Sequence, residues 1–126
     1  MRSAPMGRPL PPHEDSTMPT EALLTLSTAP DRDRALAIAR TLVEERLAAC
    51  VSLLPSARSV YRWQGEIVED EECVLLIKTS RARWEALVTR LKAIHPYEVP
   101  ELIAIPVERG LESYLRWLAE STVEDK

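Results

Sequence analysis

Two apolar stretches near the middle of the chain set the strongest limit on its fold. Ala48–Leu54 carries one polar residue in seven, and Cys73–Ile77 (CVLLI) carries none. A strand with one face on a core and one in water alternates apolar and polar side chains. These two do not alternate, so both faces of each strand require burial. At 126 residues the chain is one domain's worth, with too few elements to cover both sides of a sheet. Self-association is the simplest cover, because a large exposed apolar patch marks an interface.

The remaining elements follow from pattern and punctuation. Ala22–Thr28 (ALLTLST) reads as a buried strand ended by Pro30. Asp31 then caps a helix whose Ala35, Ile38, Ala39, Leu42 and Val43 share one apolar face. A second apolar run, Leu47–Leu54, is expected to stop at Pro55, with an extended pattern resuming over Ser59–Trp63. Gln64-Gly65 fits a tight turn, after which Glu66-Ile67-Val68 leads back into Cys73–Ile77 as a third strand. Ser80 opens a second helix with the stripe Trp84, Leu87, Val88, Leu91 and Ile94, and Pro96 ends it by pushing His95 out of helical dihedrals. Leu102–Val107 is a fourth strand whose Pro106 lacks an N–H and belongs at an edge or bulge. After Gly110, Leu111, Tyr114, Leu115 and Leu118 mark a short last helix.

This order is β-α-β-β-α-β plus a C-terminal helix, the α+β, ferredoxin-like arrangement. It places both main helices on one sheet face and leaves the other bare. Residues 1–20 hold five of the ten prolines with almost no apolar periodicity, and are read as a disordered tail ahead of a folded domain at 21–126.

Composition removes several function classes. The net charge is −4 and the pI near 5.3, against the basic excess that nucleic-acid binding needs. The acidic-then-aliphatic stretch Glu71–Ile77 likewise lacks the stacking aromatics of an RNA-recognition sheet. No stretch reaches the roughly 18 consecutive apolar residues of a membrane span. The N-terminal segment lacks the apolar centre of a secretory signal, so a cytoplasmic location is expected. Cys50 and Cys73 lie inside apolar runs with no Cys-x-x-Cys pair, and read as reduced, buried thiols. Glycine occurs three times, at Gly7, Gly65 and Gly110. With no phosphate-cradling glycine loop, nucleophile elbow or paired carboxylate motif, an enzyme is not expected.

Several segments, taken jointly, resemble the CutA divalent-cation tolerance family over roughly residues 22–120. They are Thr28-Ala29-Pro30, Leu47-Ala48-Ala49-Cys50-Val51 and Ser59-Val60-Tyr61-Arg62-Trp63-Gln64-Gly65. Glu72 ahead of Ile77-Lys78-Thr79, His95-Pro96-Tyr97-Glu98-Val99-Pro100-Glu101, and Tyr114 with Trp117 complete the set. The resemblance implies a ferredoxin-like subunit of a homotrimer whose long hairpin through Gly65 reaches neighbouring subunits. It further implies a role in tolerance of divalent metals, copper above all. Some family members carry Cys at the position of Ser27, a thiol considered as a ligand.

Two candidate sites follow. His95, Glu98 and Glu101 fall within seven residues on a proline-held segment. Imidazole supported by carboxylate suits copper or another divalent cation, bound weakly and completed by a neighbouring subunit; no cofactor is required. The second is a cleft between subunits built from Tyr61, Trp63, Tyr97 and Trp117, since these aromatics concentrate in the motifs. Lys78 there could supply charge for an anionic ligand. An alternative function is thus a regulatory or scaffold trimer, similar to nitrogen-regulatory signalling trimers, that binds a small anionic metabolite or a partner's peptide. An acid–base set of Lys78, His95, Glu72 and Glu101 is the weakest reading.

Overall fold

The computed structural model describes residues 20–124. The expected tail, apart from Thr20, and the last two residues lie outside them. Strand β1 (Ala22–Ala29) leads into helix α1 (Arg32–Glu44), then β2 (Cys50–Trp63) and β3 (Glu66–Ser80). A single 3-10 turn (Arg81–Arg83) precedes α2 (Trp84–Ile94), followed by β4 (Ile103–Pro106) and α3 (Glu112–Ser121). The four strands form one antiparallel sheet in the order β2-β3-β1-β4.

Local chemistry explains most boundaries. The Asp31 carboxylate accepts the Arg34 N–H at 2.8 Å and starts α1. Arg46 takes a left-handed φ of 59° just past the helix, and the Leu47 N–H returns to the Leu42 carbonyl at 2.8 Å. Gln64 and Gly65 both adopt positive φ (50° and 84°), the two-residue turn whose twist matches a hairpin. Helix α2 ends at Ile94, with His95 extended at φ −81° and ψ 138° ahead of Pro96. Pro106 sits on β4, an edge strand paired only with β1, so its missing N–H costs the ladder nothing.

Three expectations are corrected. Pro55 does not stop the second strand: a bulge between Leu54 and Ala57, with Ser56 at φ 65°, absorbs the misfit and β2 runs on to Trp63. Ser80 does not open α2 directly, since the 3-10 turn intervenes and no side chain caps either start. Val43 and Leu111 leave the core; both are exposed, Leu111 because it lies ahead of the first turn of α3.

The register divides the sheet into two unlike faces. On the first, Ala29, Cys73, Leu75 and Ile77 pack with Ala35, Ile38 and Leu42 of α1 and Leu87 and Leu91 of α2. On the second, α3 closes one end, where Leu118 meets Ala22 and the Thr122 hydroxyl lies 3.1 Å from that of Ser80. Beyond that end Leu24, Leu26, Val74 and Leu76 are only half-buried. Leu54 is 52% exposed, Ile103 53% and Ile105 48%. Seven large aliphatic side chains therefore face one side with no helix over them.

Candidate functional site

The far end of this second face, opposite α3, holds a cleft of about 670 Å³. Its floor is the strand rung at Thr28 together with Glu72, and one wall is the hairpin, where Ser59, Tyr61 and Trp63 point to the same side. The other wall is the loop from Pro96 to Glu101. Two hydrogen bonds of His95 pin that loop. Nε2 donates to the Thr28 carbonyl at 2.7 Å, and Nδ1 accepts the Tyr97 N–H at 3.0 Å, which fixes the tautomer. His95 is buried, and its ring sits 4.9 Å from that of Tyr97. From below, the buried Ser27 hydroxyl donates to the Glu101 carbonyl at 2.7 Å.

Glu72 is the least expected member. It is 7% exposed, and its Oε2 accepts the Tyr97 hydroxyl at 2.6 Å. No hydrogen bond or ion pair reaches its other oxygen among the described residues. Partial burial and this bond to a carboxylate push the Tyr97 phenol well above its ordinary pKa. Tyr61 is raised too, chiefly because its hydroxyl donates to Asp70. Both phenols therefore stay protonated as donors.

The expected site residues separate into two groups. Tyr61, Trp63, Tyr97, Glu98 and Glu101 line the cleft, and His95 holds its loop in place. Lys78 does not reach it. Its Nζ donates to the Ser52 hydroxyl at 2.8 Å near the α3 end, with Leu76 and Val74 between it and the cleft. Trp117 lies on α3, 5.4 Å from the Tyr114 ring, packed against Ala22, Ala49 and Leu118. Every ionisable group lining the cleft, tyrosines aside, is a carboxylate. The acid–base set of Lys78, His95, Glu72 and Glu101 is accordingly not assembled.

As a metal centre, one chain is incomplete. No group of three or more His, Cys, Asp or Glu is gathered to hold an ion among the described residues. The imidazole of His95 has both nitrogens engaged, so it has no lone pair to offer unless one of those bonds breaks. What remains is carboxylate oxygen, which suits hard cations better than copper.

Comparison with known proteins decides the family. The profile of the CutA1 divalent ion tolerance proteins matches residues 23–121. This chain belongs to the CutA1 family. The divalent-cation tolerance protein CutA of Thermus thermophilus is 52% identical over 99 residues, covering 79% of this chain and 96% of that relative. Protein CutA of Mus musculus is 41% identical over 119 residues, covering 94% of this chain and 67% of the mouse protein. A solved CutA1 structure from T. thermophilus has a TM-score of 0.79 at 50% identity, covering 81% of this chain and 99% of that one. One of CutA from Xylella fastidiosa reaches 0.80 at 49%, covering 82% and 100%. The names of the T. thermophilus relative and structure describe divalent-cation tolerance. The motifs quoted from the sequence all fall within the span that the CutA1 profile matches.

Proposed function

We propose that this CutA1 chain acts in tolerance of divalent cations by binding rather than catalysis, as a homotrimer of ferredoxin-like subunits. The observation that carries the binding half is the cleft: Glu72, Glu98 and Glu101 line it and, among the described residues, no basic side chain does. Such a cavity favours a cation over an anion by simple electrostatics. Glu98 and Glu101 are exposed at its rim and free to approach a metal ion. Copper-like coordination needs His95 to release Thr28 or the Tyr97 N–H, and that cost keeps affinity low. The trimer rests on the uncovered aliphatic face. It also gains support from Arg116, whose Nη2 is buried without a hydrogen-bond partner among the described residues and would find one on a neighbouring copy.

Calorimetric titration with copper and zinc tests the binding half. Weak saturable uptake that falls in a Glu98→Ala, Glu101→Ala double variant is the expected result. Identical isotherms for parent and variant would reduce the effect to non-specific binding. An anionic metabolite finds no positive side chain in this cleft among the described residues, and Lys78 lies near the other end of the sheet.

A further inference from the structure

The cleft has features that a bare metal ion would leave unused. Tyr61 and Trp63 remain 39% and 42% exposed in the single chain, more than aromatic side chains usually leave uncovered. They stand two residues apart on one strand face, across from Tyr97. Below them Glu72 is more than nine-tenths buried. Its only partner among the described residues is a neutral phenol, and one carboxylate oxygen is left open toward the cavity. A largely buried carboxylate with an open oxygen is stabilised by a positive donor placed on that oxygen. Aromatic faces with carboxylates beyond them are the surroundings that an alkylammonium group prefers, through cation–π attraction and charge-assisted hydrogen bonds. Glu98 and Glu101 at the rim supply further negative charge away from Glu72. The roughly 670 Å³ of space suits a molecule of about ten heavy atoms or more, far larger than one ion.

We propose that the cleft between the hairpin and the Pro96–Glu101 loop binds a linear organic polyammonium ion. One ammonium sits on Glu72 between the rings of Tyr61, Trp63 and Tyr97, and the next is held at the rim by Glu98 and Glu101. The methylene chain between them covers the exposed Tyr61 and Trp63 rings. This inference rests on the cation-binding reading of the same cleft but asks for a different ligand. The metal ion is held chiefly by the rim carboxylates, whereas the polyammonium ion needs the buried Glu72 and the aromatic wall as well.

Spermidine titrated into the full-length assembled protein by calorimetry is the test, with magnesium chloride at matched ionic strength as control. Saturable binding of one spermidine per chain is expected, weakened about tenfold by Glu72→Gln through loss of the charge-assisted bond. Trp63→Leu, an exposed position that leaves the core intact, should weaken it about two- to fivefold. Circular dichroism of both variants checks that the fold survives. Binding that is equal in parent and variants, or that magnesium at the same ionic strength abolishes, overturns the proposal. Copper or zinc uptake through Glu98 and Glu101 without spermidine uptake overturns it while leaving the metal reading standing. Spermidine uptake with flat metal isotherms does the reverse.

Discussion

The two faces of the single sheet are built from nearly the same residue types and meet opposite fates. Leu75 and Ile77 point into the helices and are fully buried, whereas their neighbours Leu76 and Val74 point the other way and are only half-covered. On the adjoining strands Leu54, Ile103 and Ile105 are about half exposed. One face is finished within the chain and the other is not. The proposed assembly would bury this second face, since isolated surface aliphatic residues are ordinary but seven together on one sheet face are not.

The largest effects expected come from cutting the same side chain on each face in turn. Leu75→Ala opens a cavity under α1 and α2 and should cost about 2–5 kcal/mol in urea denaturation at any protein concentration. Leu76→Ala should cost as much only where copies are assembled, and far less as the protein is diluted. Equal, concentration-independent losses for both would erase the distinction between the faces.

A smaller effect sharpens the covered face. Thr25 is fully buried beneath the helices and its hydroxyl has no partner among the described residues. Thr25→Val removes that unpaired group and should stabilise by about 1 kcal/mol. A destabilised variant would mean that the hydroxyl is satisfied in the assembled protein.

The smallest effect belongs to the cleft end of the open face. Tyr97 holds its proton more tightly when folded than the ordinary phenol value of 10.0. A raised folded pKa gives stability that is complete below about pH 10 and is lost as pH climbs from there toward the folded value. Melting temperatures should therefore fall above pH 10, and more gently in Tyr97→Phe. An identical alkaline slope in both would remove Tyr97 as its source.

The sequence made the covered half legible, because local rules govern it. Asp31 caps, Gln64-Gly65 turns and Pro96 terminates by short-range sterics that need no tertiary knowledge. Leu75 and Ile77 lie at alternating positions in an apolar run. The errors arose where context overrode a local rule. Pro55 breaks a regular ladder, yet a bulge with Ser56 at positive φ let β2 continue. Lys78 shares a motif with Glu72 but sits at the other end of the sheet, a separation that the cross-strand register fixes, and α3 holds Trp117 at that same end. The place of Glu72 on the cleft floor does follow from the sequence. The two-residue turn pairs Trp63 with Glu66, which aligns Tyr61 and Ser59 with Val68 and Asp70 and puts Glu72 on the same side. The engagement of both His95 nitrogens was not readable, because Thr28 lies 67 residues away along the chain.

The most direct test of the uncompleted face is the solution mass by light scattering during size exclusion at micromolar concentration. The parent should elute at three times the 14.2 kDa of one chain. Ile105→Lys, which places a charge on the open face along its β4 edge, should elute as single chains with unchanged circular dichroism. A parent protein that runs as a stable monomer, or an Ile105→Lys variant that keeps the parent's mass, would contradict the account.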